Sequence, residues 1–137
     1  MQEYDLLARI ADILRHEIGP AVAADYPKTQ AFMAGVVLQK LGRQLALAEA
    51  HRAAEAADLL ALRQDLERLA GAGPLPSEVA AALGNLDRAT TLAGLCPLIE
   101  ALYAHRTSFG DLRFAILLGR VRQTLRADVD RRMAYAG

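Results

Sequence analysis

Apolar residues recur at intervals of three and four residues along most of the chain, which is the spacing of one face of an α-helix. In the first such segment Leu6, Ile10 and Ile13 follow this spacing, whereas Arg9 and Asp12 fall on the opposite side. No run of alternating apolar and polar residues is long enough to indicate a β-strand. The pattern therefore predicts an all-α protein, a helical bundle of about five to six helices.

Glycine and proline residues mark the predicted helix ends in the N-terminal half. A first helix covers residues 3–18 and stops at Gly19 and the proline after it, with Gly19 in the left-handed conformation. Asp25-Tyr26-Pro27 marks a helix start, and a second helix is predicted from Lys28 to about Ala50. Because an unbroken helix over residues 28–70 would be about 65 Å long, we expect a kink or a short turn near residues 50–54.

The second helix carries a long apolar stripe that we expect to be buried. Gly35 and Gly42 lie seven residues apart on the same helix. Since glycine in mid-helix costs about 1 kcal/mol relative to alanine, these two residues predict the close approach of another helix backbone. The stripe consists of Ala31, Ala34, Val37, Leu38, Leu41, Leu45 and Ala48.

A loop rich in glycine and proline at residues 71–76 separates two helical halves of a single predicted domain, residues 1–137. Ser77 is predicted to cap a short helix after this loop, and Asp87 is predicted to cap a longer one. Pro97 should kink that longer helix or mark a new start. The last helix is apolar in its first half, and its polar second half is expected to project into solvent.

Composition and charge narrow the classes of protein. The 137 residues include 16 Lys and Arg and 16 Asp and Glu, so the net charge is zero and a nucleic-acid partner is not expected. A single cysteine excludes an internal disulfide framework. Neither a membrane-spanning stretch nor a signal peptide is recognisable, which predicts a soluble cytoplasmic protein. The excess of alanine, leucine and arginine is typical of a GC-rich bacterial gene.

One cluster has the spacing of metal ligands on a helix. His51 and Glu55 are four residues apart and Asp58 follows three residues later, which places the three side chains on one helix face. A polar helix face explains the same pattern, since the Glu-x-x-His motif of carboxylate-bridged di-metal bundles does not occur in the sequence. The three residues are therefore a candidate metal site, with a solvated helix face as the alternative.

A second group of residues is a candidate ligand pocket. Tyr103, Phe114 and Leu117 would lie near an apolar pocket between helices, where Arg113 would orient an acidic group of the ligand. A solvated helix face is the alternative for the arginine. Cys96 is expected to be a buried free thiol. Motifs of nucleotide binding, zinc hydrolysis and serine catalysis do not occur, so neither a catalytic residue nor a cofactor is predicted.

The first 45 residues resemble a bacterial all-helical family whose activity is uncharacterised. Genes of that family often stand beside those of acyl-CoA dehydrogenases and aminoglycoside-phosphotransferase-like kinases. The resemblance implies an accessory role and carries over no catalytic residue. It rests on the segment Glu17-Ile18-Gly19-Pro20-Ala21-Val22 and, in the second helix, on Phe32, Val36, Gln39, Leu41, Arg43 and Leu45.

Three functions are compatible with these patterns. The first is a non-catalytic interaction or accessory protein that forms a homodimer or docks on an enzyme, and its monomer should expose an apolar patch of several hundred Å². The second is a small-molecule binder with an apolar pocket between helices for an acidic or acyl ligand. The third is a metal-assisted enzyme that uses the cluster of His51, Glu55 and Asp58.

Overall fold

The computed structural model describes residues 1–71, 73–86, 88 and 92–134, and this part of the chain is helical and contains no strand. The predicted all-α class is confirmed. A π-helical turn, Leu14–Ile18, and a short helical turn, Gly19–Ala21, extend the first helix, and a 3-10 turn, Leu92–Gly94, precedes the fourth. The helices of the described residues are α1, Glu3–Ile13; α2, Asp25–Ala70; α3, Ser77–Asn85; α4, Leu95–Ala104; α5, Arg106–Phe109; and α6, Asp111–Met133.

The chain divides into two compact units, and the division falls inside α2. The first unit comprises Met1–Ala50 and Met133–Gly137, and the second comprises His51–Arg132. The predicted loop at residues 71–76 does separate α2 from α3, but it lies within the second unit, and residue 72 is outside the described residues. That the whole chain is one domain stays a prediction, which the cooperativity of unfolding would test.

The first unit is an antiparallel pair formed by α1 and the N-terminal part of α2. Gly42 lies against the start of α1, where a Cβ atom would be 3.3 Å from the carbonyl oxygen of Tyr4. Gly35 lies further along α1, where a Cβ atom would be 3.1 Å from the carbonyl oxygen of Ala11 and 2.5 Å from Cγ of Arg15. The predicted close approach of a second helix at the two glycines is confirmed.

The turn at the end of α1 differs from the prediction. Gly19 has a φ of −54°, in the right-handed helical region, and the helical turn continues to Ala21. Pro20 lacks the N–H group that would bond to the preceding turn, and the wider π-helical turn ends two residues before it. Gly19 is buried against Phe32, because a Cβ atom would be 3.2 Å from Cε2 of that ring. Glycine is required here because a larger residue would collide with Phe32, and not because the backbone is left-handed.

Helix α2 continues through residues 50–54, so the short turn predicted there is wrong, and the alternative of a kink stays a prediction. This segment contains three alanines and neither glycine nor proline. Alanine has the highest intrinsic helix propensity, and nothing in the segment interrupts the backbone hydrogen bonds. The high helix propensity of residues 50–54 therefore describes the structure better than the argument from total helix length, on which the predicted turn relied.

The second unit has a hydrophobic core to which four helices contribute. Leu62 of α2, Leu98 of α4 and Val121 of α6 are completely buried, and Val79 adds a side chain from α3. Burying a large aliphatic side chain contributes about 1.5–3 kcal/mol, so these residues hold the four helices together. The other members of this core are Leu59, Leu66, Ala82, Leu83, Leu86, Leu95, Ala101, Leu102, Phe114, Leu117 and Leu118.

Helix boundaries in the second unit follow the turn residues, with one exception. Ser77 is the first residue of α3 and not its cap. Pro97 lies in the first turn of α4, so it marks a new helix start. Gly71 and Gly110 have φ angles of 83° and 80° and follow α2 and α5, respectively. Asp87, which we predicted as a cap, lies outside the described residues.

The polar second half of α6 projects into solvent only in part, since Arg122, Arg126, Asp130 and Arg132 are exposed. Thr124 and Asp128 are buried. Arg120 donates one hydrogen bond to Oδ2 of Asp65 on α2 and another to Oγ1 of Thr124, both at 2.8 Å. The negative charge of Asp65 on α2 thus balances the positive charge of Arg120 on α6, which allows polar residues to pack between these helices.

Candidate functional site

The first unit carries an apolar surface that the described part of the chain leaves open. Leu41 and Leu45 of α2 are 45% and 49% exposed, and Leu6 of α1 is 49% exposed. The stripe of α2 that we predicted to be buried is therefore exposed over much of its length. We call this surface the hairpin face; it consists of Leu6, Ile10, Ile13, Ala34, Val37, Leu38, Leu41 and Leu45.

Helix geometry places both stripes of the hairpin face on the same flank of the helix pair. The glycines of α2 identify the side of that helix that contacts α1. Nη1 of Arg15 donates a hydrogen bond to Oε1 of Gln39 at 2.9 Å, and this bond marks one flank of the pair. Since successive residues turn by about 100°, Leu6 of α1 and Leu41 of α2 lie on the opposite flank. The two stripes therefore form one continuous surface.

The middle of the hairpin face carries no charge. On α1 this flank contains Glu3 and Glu17 at its two ends and is bordered by Arg9, whereas Asp12 lies on another side of the helix. On α2 the stripe has no charged member from Ala34 to Leu45. Such a surface can pack against another apolar surface without leaving an unpaired buried charge.

The structure gives two of the three predicted metal ligands other partners. Oε1 of Glu55 accepts a hydrogen bond from the backbone N–H of Leu92 at 2.8 Å, just before α4. Asp58 forms an ion pair with Arg131 of α6, and His51 is half-buried. Within the described ranges, no group of three or more His, Cys, Asp or Glu side chains is placed to hold a metal ion. The metal hypothesis stays a prediction.

The residues of the predicted ligand pocket are divided between the core and a cavity. Phe114 and Leu117 are core residues, 5% and 1% exposed. Tyr103 packs edge-on against Phe114, with ring centroids 5.1 Å apart, and the guanidinium group of Arg106 lies 5.1 Å from the centre of the same ring. Arg113 lines a separate cavity that the other three residues do not line. Binding by this set of four stays a prediction.

This cavity, which we call the Arg113 cavity, has a volume of about 380 Å³ and lies in the second unit. It opens between the segment after α2, the end of α4 and the beginning of α6. The guanidinium group of Arg113 lies directly against Gly71, where any Cβ atom would collide with Nη2. The side chains around the cavity include His105, Ser108, Phe109 and Leu75.

Sequence reasoning missed the ion pairs that connect α6 to α2. The hydrogen bond from Arg120 to Asp65, together with the positive charges of Arg120 and Arg68, holds the pKa of the Asp65 carboxyl below its ordinary value. Further along the same two helices, Arg131 of α6 forms an ion pair with Asp58 of α2. The partners are 55 and 73 residues apart in the chain, so no local pattern links them.

Two further side chains have surroundings that the sequence did not indicate. Nε2 of His105 lies 3.2 Å from Oε2 of Glu78 on α3, although no acidic residue is adjacent to this histidine in the sequence. Cys96 is exposed, so the prediction of a buried thiol is wrong. It lies in the first turn of α4, where its side chain does not contribute to the core.

Comparison of the chain with known protein families, curated proteins and solved structures finds no match. Among the described residues, no helix is both long and apolar enough to cross a membrane. The hairpin face and the Arg113 cavity are the two features of the structure from which a function can be argued.

Proposed function

We propose that the protein is a non-catalytic interaction protein that self-associates, and that two copies pair through the hairpin face. One observation carries this proposal. Among the described residues of the first unit, Ala11 is the only buried hydrophobic residue, while apolar stripes on both helices are exposed. An antiparallel helix pair with one apolar flank has the composition of half a four-helix bundle.

The contact between α1 and α2 leaves most of the large apolar side chains of the pair at least partly exposed. Glycine and alanine at the contact, such as Gly35 and Ala11, let the backbones approach but contribute almost no apolar side chain. Most of the stability of a helix in a protein comes from packing of its apolar face. The large side chains that could supply this packing, such as Leu41 and Leu45, point to the open flank.

The size of the hairpin face suits a dimer interface. Its side chains together expose on the order of 500 Å² of apolar surface per copy, which is near the upper end for the largest patch on a monomer. With the neighbouring backbone and polar rim, the area approaches the roughly 800 Å² that each partner buries in a standard interface. A smaller surface would support only a transient contact.

A second copy is the occupant that the chemistry of the hairpin face favours. In a twofold contact the same surface lies on both sides, so it must be complementary to itself. An uncharged surface meets this condition because no like charges are brought together at the centre. Ala34, Leu38, Leu41 and Leu45 also follow the alternating four- and three-residue spacing of bundle cores.

The first prediction concerns a charged substitution in the hairpin face. Leu41→Lys places an ammonium group in the centre of the proposed interface, and we expect the dissociation constant of the dimer to rise at least tenfold, because the charge would be buried without a partner. Sedimentation equilibrium of the purified full-length chain at micromolar concentrations measures this constant. The wild type should sediment at twice the mass of one chain.

Thr29→Lys is the matched control, since it adds the same charge to α2 about 120° around the helix from Leu41. We expect this variant to dimerise like the wild type, and circular dichroism should show equal helix content in all three proteins. A wild type that is monomeric at every concentration contradicts self-association and leaves a different protein as the occupant of the face. Equal weakening by both substitutions would place the interface elsewhere.

A further inference from the structure

We infer that the Arg113 cavity binds a small carboxylic acid with a short apolar or aromatic substituent, a function that does not depend on the proposed dimer. The cavity volume of about 380 Å³ lies within the range of small-molecule sites. It combines polar and apolar walls, which is the usual composition of a site that both orients a ligand and excludes water from it.

The charge of the cavity is positive. No Asp or Glu is among the residues that line it. Two carboxylates lie nearby, since Glu78 contacts His105 of the lining and Asp111 forms an ion pair with Arg106. Within the described part of the chain no carboxylate pairs with Arg113, in contrast to Arg120 on the same helix, which binds Asp65. An anion from solution would supply the missing charge.

The guanidinium group of Arg113, an exposed residue, lies beside Gly71. It lies in the space that a side chain at position 71 would occupy, and Gly71 also has the positive φ that favours glycine. The guanidinium group of Arg113 therefore borders the cavity next to a residue that has no side chain. Its planar donors match the two oxygens of a carboxylate, and the hydroxyl group of Ser108 is a further donor in the lining.

The same features favour a carboxylate over a phosphate. The lining contains one guanidinium group, and the imidazole of His105 already contacts Glu78. One positive charge balances a monoanion, whereas phosphate sites typically combine several charged or backbone donors. The ligand class is therefore a monocarboxylate.

The apolar walls limit the size of the substituent. Phe109 and Leu75 line the cavity and also line a narrow gap that leads toward Leu98 and Leu117 in the core. That gap has a volume of only about 10 Å³, close to that of one water molecule, so it has no room for an acyl chain. The apolar group must remain in the outer cavity, which suits a short or aromatic acid and excludes a long-chain fatty acid.

Titration of the full-length protein with benzoate, followed by two-dimensional NMR of the backbone amides, tests this inference. We expect saturable shifts at Ser108, Phe109 and Arg113, with a dissociation constant on the order of 1 mM for so small a ligand. Arg113→Gln should weaken binding at least tenfold. Arg122→Gln is the matched control, since Arg122 is exposed on the same helix and is not among the residues lining the cavity, and it should bind like the wild type.

Three other probes sharpen the result. Benzamide has the same shape without the charge and should not bind, inorganic phosphate should bind more weakly than benzoate, and palmitate should not shift the cavity residues. Absence of benzoate binding, equal binding of benzamide, tighter binding of phosphate, or an undiminished affinity of Arg113→Gln would each overturn the inference. Leu41 lies in the first unit and the cavity lies in the second, so the Leu41→Lys variant should bind benzoate like the wild type even if it does not dimerise. Measuring benzoate binding by this variant therefore distinguishes a failure of this inference from a failure of the proposed dimer.

Discussion

The two units use the same kind of helix but differ in what covers its apolar side. In the second unit four helices surround a common core, and Leu62, Leu98 and Val121 are completely buried. In the described part of the first unit two helices meet closely at Gly35 and Gly42, while Leu41 and Leu45 stay about half exposed. An amphipathic helix needs neighbours on its apolar side, and a pair of helices supplies too few.

Polar contacts show the same contrast. The second unit pairs arginines of α6 with carboxylates of α2, as in Arg120 with Asp65 and Arg131 with Asp58. In the first unit, the long-range side-chain contact that the structure shows is the hydrogen bond between Arg15 and Gln39. The second unit is therefore specified by interactions within the chain, whereas the first unit has an apolar flank that stays exposed.

The largest expected effect is on the free energy of unfolding, when a leucine of the second unit is truncated and compared with a leucine of the first unit. Leu62→Ala should lower the free energy of unfolding by about 3 kcal/mol, because it leaves a cavity in a closed core. Leu45→Ala, at a residue 49% exposed, should cost less than about 1 kcal/mol in dilute protein. Urea denaturation followed by circular dichroism measures both. Similar losses in dilute protein would mean that the two units do not differ as described.

The same pair of variants becomes more informative when protein concentration is varied. If the hairpin face is an interface, the loss of stability caused by Leu45→Ala should grow as the concentration rises above the dissociation constant of the dimer, since association stabilises the folded state. The loss caused by Leu62→Ala should change little. A concentration-independent effect at Leu45 would argue against burial of this residue in a dimer.

Glycine substitutions should have opposite signs in the two units. Gly35→Val should destabilise the first unit by about 1–2 kcal/mol. The reason is that a Cβ atom added at Gly35 would lie 2.5 Å from Cγ of Arg15 and 3.1 Å from the carbonyl oxygen of Ala11. Gly119→Ala in α6 has no heavy atom within 4 Å of the new Cβ, so it should stabilise the second unit by up to about 1 kcal/mol.

Amide hydrogen exchange locates these two effects. Faster exchange in α1 is expected for Gly35→Val, and slower exchange in α6 for Gly119→Ala. If Gly35→Val leaves exchange in α1 unchanged, the helix contact is looser than the distances at Gly35 indicate. If Gly119→Ala lowers the free energy of unfolding, the space beside Gly119 is needed for a contact with another part of the protein.

The smallest expected effect concerns the pH dependence of the second unit. Because Arg120 and Arg68 lower the pKa of Asp65, the folded state favours the ionised carboxylate, and this contribution to stability is present at neutral pH. It should be lost as the pH falls below about 4, through the lowered pKa. Asp65→Asn should therefore be less stable than the wild type at pH 7, with the difference vanishing in acid.

Urea denaturation at a series of pH values measures this difference. The control is Asp130→Asn, at an exposed position on α6, which should differ little from the wild type at any pH because exposed charges contribute little to stability. An Asp65→Asn variant whose stability follows the wild type over the whole range would mean that the Arg120 contact does not persist in solution.

Much of the fold follows from the sequence because helix formation depends on neighbouring residues. The breakers around Gly71 and the proline at position 97 mark helix boundaries that the structure also has. The two mid-helix glycines, Gly35 and Gly42, indicated a close helix contact correctly, since glycine is costly there without such a reason. The turn expected near residues 50–54 was wrong because an argument from total helix length overrode the local evidence.

The candidate sites were far less predictable. Arg113 was among the predicted ligand residues, but Phe114 and Leu117 were placed beside it and turned out to be core. Glu55 and Asp58 had metal-ligand spacing, yet their partners, Leu92 and Arg131, come from distant parts of the chain. Spacing on one helix cannot distinguish a ligand from an ion-pair partner, because that choice depends on which other helix lies opposite.

The helical spacing of apolar residues already established that the protein is helical and which stripe of each helix is apolar, and glycine and proline marked several of the helix ends. Only the packed structure decided which of these stripes is enclosed and which is left open. The reason is that helical periodicity is a property of consecutive residues, whereas burial depends on how many other helices reach the same stripe. Leu62 is completely buried in a core to which four helices contribute, whereas Leu41 is 45% exposed.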